Sequence, residues 1–269
     1  MGWITARRRH PAAGYAVVLL GLLVIAAVYS AITGGGGAAS AASPAGGPQA
    51  QIDAGKGLFG QDCSSCHGLE AQGTVNGPSL IGVGAAAVDF QVSTGRMPAK
   101  GPAAEEPRKP VALTTAQTHD LAAYIQSLAG GPPIPTADQV NPAGADIALG
   151  QSLFTADCAQ CHNFVGAGGA LTYGKYAPAL DPSTPTQIYE AMQTGPEAMP
   201  VFNDTTITPS QKRDIIAYVT ETRALPNPGG FSLGRVGPVT EGLVAFLGLL
   251  FFMVLAALWI TAKHGKAHE

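Results

Sequence analysis

Charge is scarce in this sequence: 12% of its 269 residues are Asp, Glu, Lys or Arg, against 46% that are hydrophobic. So thin a charged complement, beside 35 Gly and 21 Pro, argues against a single highly charged cytosolic globule. Basic residues are rarer still in residues 53–230, where 16 acidic residues face 9 basic ones, a net of −7. That balance argues against nucleic acid as a partner. Strand-like alternation is missing from the same region, so an all-α fold is expected. Cysteine is limited to four residues, and all four fall in two copies of one motif, "DCSSCHG" at 62–68 and "DCAQCHN" at 157–163.

Apolar runs, by contrast, are present at both ends. Residues 14–33 and 242–262 give twenty and twenty-one positions without a charge. Each is long enough to cross about 30 Å of hydrocarbon as a helix, so two transmembrane helices are expected. Arg7, Arg8 and Arg9 precede the first and Lys263 and Lys266 follow the second. The positive-inside rule then makes residues 1–13 and 263–269 cytoplasmic tails of a cell-membrane protein. Everything between, with linkers at 34–52 and 224–241, is expected on the outer (periplasmic) face. The basic start, apolar run and small-residue stretch at 34–47 also resemble a cleaved secretory signal, but the apolar run exceeds the usual signal length.

The two Cys motifs head a longer repeat. Gly55, Leu58, Phe59 and Asp62 recur as Gly150, Leu153, Phe154 and Asp157, all at an offset of 95. Pro78 lies opposite Pro178, "TGRMP" (94–98) parallels "TGPEAMP" (194–200), and residues 113–128 match 207–222. In that last pair Thr114 and Thr208 occupy N-cap positions, with Tyr124 and Tyr218 on the apolar face. Two domains are therefore expected, at 53–128 and 147–223, joined by a Pro-rich linker at 129–146 that should act as a semi-extended spacer. Each is too small, and too rich in Gly and Pro, to be stable without a metal, disulfides or a bulky cofactor.

Cys-x-x-Cys-His is the attachment signature of c-type haem. Two cysteines one helical turn apart can form thioethers with neighbouring vinyl groups of one porphyrin, leaving the next histidine to face the iron. Two covalently bound haems are expected, through Cys63 and Cys66 and through Cys158 and Cys161, with His67 and His162 as axial ligands. A four-cysteine zinc site would need the two pairs to converge, and disulfides would leave both histidines unexplained. For the sixth position thioether sulfur suits ferrous iron. Met97 is the sole methionine of the first unit. In the second, Met199 shares the following proline and preceding Thr-Gly with Met97, whereas Met192 sits in an amphipathic stretch where methionine more often fills core.

With these motifs, residues 53–128 and 147–223 each resemble a class I cytochrome c. That resemblance implies hydrogen bonds from the ring N–H of His67 and His162 to the carbonyls of Pro78 and Pro178, and packing of Tyr124 and Tyr218 where helices cross. The loop at 99–112 departs from the pattern as either a contact surface or an inert insertion. Anchor, two haem units and closing helix together resemble the dihaem cytochrome c subunit of the actinobacterial cytochrome bcc complex, a menaquinol–cytochrome c reductase. The resemblance implies an electron-carrying subunit of a translocase, passing electrons from the Rieske iron–sulfur centre to the copper centre of an aa3-type oxidase. Its implied partners are a cytochrome b subunit, the Rieske subunit and the oxidase subunits, with no substrate chemistry of its own. A dihaem subunit of a cbb3-type oxidase, a dihaem peroxidase and a structural bridge between complexes are the alternatives.

Overall fold

The computed structural model describes residues 13–32, 47–103, 105–225, 233 and 238–265. The cytoplasmic-tail expectations resting on Arg7, Arg8, Arg9 and Lys266 lie outside these residues, as does most of both outer linkers. Helix α1 spans Ala13–Ile32. The first repeat unit comprises α2 (Pro48–Asp62), α3 (Ser64–His67), α4 (Gly84–Ser93) and α5 (Thr115–Ala129), and a single turn, α6 (Ala137–Val140), follows it. The second comprises α7 (Ile147–Asp157), α8 (Ala159–His162), strands β1 (Gly169–Ala170) and β2 (Tyr176–Ala177), α9 (Pro185–Thr194) and α10 (Pro209–Ala224). The chain closes with α11 (Pro238–Gly265).

Local chemistry sets these boundaries. Thr114 caps α5 by accepting the Gln117 N–H while the Gln117 side chain returns to the Thr114 backbone, and Thr208 with Gln211 repeats the box on α10. In each unit the opening helix breaks at the first cysteine, Cys63 or Cys158, so that the Cys-x-x-Cys-His residues form a separate turn.

Opening and closing helices cross at a glycine. A Cβ on Gly55 would run into the Asp120 carbonyl of α5, and one on Gly150 into the Asp214 carbonyl of α10. Only a hydrogen side chain lets the backbones approach so closely. One turn on, Phe59 meets Tyr124 with ring centroids 5.4 Å apart, and Phe154 meets Tyr218 at 5.3 Å, both tilted by about 50°. Phe59 and Phe154 are buried, each worth about 2–3 kcal/mol of transferred apolar surface. The tilted ring pairs add about 1 kcal/mol apiece.

The fold is mostly helical, with one small departure from the all-α expectation. His67 to Pro78 spans 11 residues but His162 to Pro178 spans 16, and the five extra residues form a hairpin in which β1 pairs antiparallel with β2. The first unit keeps only the single bridge Thr74–Gly77 at that place.

The linker at 129–146 does not hold the units apart as a spacer. Gly130 and Gly131, both at positive φ, turn the chain back, and the Pro132 carbonyl accepts the Ala86 N–H of α4. Thr136 and Gln139 then form a capping box on α6, and Gln139 Nε2 donates to the Tyr189 hydroxyl of α9 at 3.1 Å. Proline stiffness favours extension only where nothing interrupts it.

The units meet through α4 and α9. Gln187, already part of the α9 cap, donates from Nε2 to Ser93 Oγ at 3.0 Å and accepts from Arg108 Nη2 at 3.0 Å. Glu190 is wholly buried here, and burial, reinforced by the charge of Asp89, pushes its carboxyl up to about 10. The shift favours its uncharged form, which lessens the cost of its enclosure. The 99–112 loop is a contact surface: Glu105 accepts the Tyr176 N–H at 3.1 Å, the Glu106 N–H donates to Glu197 at 3.3 Å, and Arg108 also reaches Ser183.

Among the described residues one helix, α11, is long and apolar enough to cross a membrane, over Thr240–Ala262, with none of that span buried. The apolar stretch of α1 runs over Tyr15–Val28.

Candidate haem-binding sites

Each unit encloses a cavity walled by its own Cys motif and Met-Pro segment. Cys63, Cys66, His67, Pro78 and Met97 line the first, of about 760 Å³. Cys158, His162, Pro178, Met192 and Met199 line the second, of about 110 Å³. Cys161 is exposed and stands outside that lining. No disulfide pairs the four cysteines. Among the described residues no three His, Cys, Asp or Glu side chains converge on a metal position, so the zinc arrangement finds no support.

The histidines are held alike. His67 Nδ1 lies 2.8 Å from the Pro78 carbonyl oxygen, and His162 Nδ1 lies 3.0 Å from that of Pro178. A carbonyl only accepts, so Nδ1 carries the proton and Nε2 of the neutral ring keeps its lone pair for a metal. Burial lowers the pKa of His162, which favours that neutral form. The first thiol of each pair is disfavoured as thiolate. Burial, with the charge of Asp62, pushes Cys63 up to about 11, and burial with Asp157 pushes Cys158 up to about 12.

The methionine segments are pinned through their backbones. The Met97 N–H donates to the Gln91 carbonyl at 3.0 Å and the Met199 N–H to that of Pro196 at 2.9 Å. Met192 is 2% exposed and belongs to the second unit's core with Phe154, Ile188 and Ile215, whereas Met199 packs against the edge of that core. Both line the second cavity, so the competition between them is narrowed to an embedded and a peripheral sulfur.

Donor chemistry fits haem in both units: paired thiols one turn apart, a tautomer-locked imidazole and a thioether, within largely apolar walls that also carry a few charged side chains. The first cavity has the room for a macrocycle. The second is smaller as it stands and would have to widen to take one; its two methionines are the most adaptable of its lining side chains.

Sequence reasoning missed one property of these cavities. They share a wall: Glu106 of the first unit and Glu197 of the second line both. Phe90, Arg96 and Glu105 of the first unit also line the second cavity. The length of the 99–112 insertion was the one signal pointing to such an exchange.

Comparison with known proteins agrees with this geometry. The family model described as "Cytochrome c" matches residues 52–129, and that described as "Cytochrome C oxidase, cbb3-type, subunit III" matches residues 145–219. The cytochrome bc1 complex cytochrome c subunit of Corynebacterium diphtheriae is 44% identical over 80% of this chain and 82% of its own length. The subunit of the same name from Mycobacterium tuberculosis is 46% identical over 80% of this chain and 79% of its own. Cytochrome c6 of Limnospira maxima is 34% identical over 28% of this chain and 92% of its own. With two cytochrome c domains in one chain and relatives of this identity along most of its length, the protein belongs to the family of cytochrome bc1 complex cytochrome c subunits.

Proposed function

We propose that the chain is a membrane-anchored relay, passing electrons from the Rieske centre of a quinol-oxidising complex to the copper centre of an aa3-type oxidase. In that role it is the electron-carrying subunit of a quinol–cytochrome c reductase of the translocase type. The observation that supports the reading is the shared wall between the two cavities, which would set two redox sites of one tethered chain side by side. Tethering replaces diffusional encounters with a high effective concentration.

When bound, two covalent c-type haems supply one-electron exchange between ferrous and ferric iron. The chain's own residues set the conditions for it. Cys63 and Cys66, and Cys158 and Cys161, would hold the two groups covalently. His67 with Met97, and His162 with Met199, would hold the iron of each haem. Pro78 and Pro178 orient the imidazoles and raise their basicity. Phe59, Leu121 and Ile125 in the first cavity, and Phe154, Ile215 and Val219 in the second, keep water away. Residues 53–128 and 147–223 are the haem-carrying domains, held on the outer face by transmembrane helices at 14–33 and 242–262 with both termini in the cytoplasm.

Gentle extraction from the membrane tests this assignment. A cytochrome b, a Rieske protein and aa3-type oxidase subunits are expected to be recovered with the chain. Recovery with a different oxidase, and without a cytochrome b or Rieske protein, would refute it.

A further inference from the structure

Arg96 belongs to the first unit and directly precedes Met97, yet its side chain lines the second unit's cavity and not its own. It is 7% exposed, and its Nη1 is fully buried with no hydrogen-bond partner among the described residues. The Phe90 ring, 5.0 Å from the guanidinium carbon, supports it on one side. Burial pulls its pKa below the ordinary value, with Glu197 the strongest opposing influence. No ion pair joins Arg96 to a carboxylate among the described residues. The acids nearby have other partners. Glu105 accepts the Tyr176 N–H, Glu106 pairs with Lys109 at 3.4 Å, and Glu197 accepts the Glu106 N–H.

A buried guanidinium with no carboxylate hydrogen-bonded to it is expensive, and the glutamates that share its cavity act on it only from a distance or through other partners, so the site calls for a further carboxylate. Arg96 is also the one Lys or Arg among the residues lining the second cavity. Haem is an apolar macrocycle bearing two propionate carboxylates, which matches a largely apolar cavity whose one cation, Arg96, is buried, while its glutamates Glu105, Glu106 and Glu197 are held by other donors. We propose that Arg96 binds a propionate of the second unit's haem across the interface, making the first unit part of that haem's site.

The proposal rests on the reading of Cys158, Cys161 and His162 as a haem site. Its consequence is electrostatic: a fixed positive charge beside the second haem, neutralising a propionate, disfavours the ferric form and raises the potential. It also makes the second haem's environment depend on correct docking of the first unit.

The test is a spectroelectrochemical titration of the gently extracted complex, with the second unit's haem identified as the component missing from a Cys158→Ala, Cys161→Ala variant. In Arg96→Gln, that component's reduced-to-oxidised ratio at a fixed potential is expected to fall about tenfold, the scale of one charge lost at a partly buried site. Arg96→Lys should recover most of the ratio. Arg108→Gln removes a cation from the same interface that lies outside the cavity lining, and should move the component far less. An unmoved second component with both haems attached, or an equal displacement in Arg108→Gln, would overturn the role of Arg96. Persistence of both covalent haems in the double-cysteine variant would instead overturn the haem reading beneath it.

Discussion

Met97→His and Met199→His should each lower the potential of one haem by roughly 0.2 V, a quarter of the approximately 0.8 V that axial ligands command across haem proteins. Imidazole keeps the iron six-coordinate but removes the soft sulfur that favours the ferrous state. At about 59 mV per tenfold for one electron, the reduced-to-oxidised ratio falls roughly a thousandfold at a fixed potential. A downhill relay then acquires a barrier, and quinol-driven oxygen uptake should slow strongly while both haems remain attached. Redox titration beside oxygen consumption checks both variants. Met199 packs at the edge of the second core and Met192 lies within it. An unchanged potential in Met199→His would transfer the ligand role to Met192, and unchanged potentials in both variants would remove the Met-Pro assignment.

Replacing Cys63 and Cys66 together with Ala should halve the covalent haem of the chain. The first unit's buried core is small, centred on Phe59, Leu121, Tyr124 and Ile125. Without its cofactor such a unit is expected to lose its fold, exposing residues 53–128 to protease. The second unit should keep its haem through Cys158 and Cys161. The interface adds a further consequence: the holds of Glu105, Arg108 and Ser93 on the second unit should be lost too. Haem staining after denaturing electrophoresis, with limited proteolysis, reads the outcome. Loss of covalent haem from both units in protein that is still made and exported would show that they do not fold as separate domains.

What the sequence made legible is what local spacing forces. Gly55 and Gly150 recur because each sits where two backbones nearly touch, and Phe59 with Tyr124 recurs as Phe154 with Tyr218 because the same crossing must be filled. The threonine caps follow from short-range chemistry and stand where the repeat places them, while the histidine–proline contacts stand where the resemblance to class I cytochrome c implies them. Helix α4 was not anticipated. Its sequence, "GAAAVDFQVS", carries no apolar stripe, because it packs against α5 and against α9 and has little solvent face to mark with polar residues. The linker was misjudged for a related reason: its prolines describe stiffness, while the glycines at 130 and 131 and the partners waiting on α4 and α9 decide direction. Arg96 passed as one charge in a Met-Pro motif, since nothing in its neighbours reveals that it lines the other unit's cavity. Contacts between repeats leave no period in the sequence, and only the assembled fold displays them.

The central claim, that both units carry electrons in turn, is tested most directly by rapid mixing of the intact oxidase-coupled complex with reduced quinol and oxygen while the absorbance of each c-type haem is followed. The relay predicts that both haems are reduced and reoxidised within every turnover, each at least as fast as oxygen is consumed. A haem that holds one redox state while oxygen uptake runs at its full rate would contradict it.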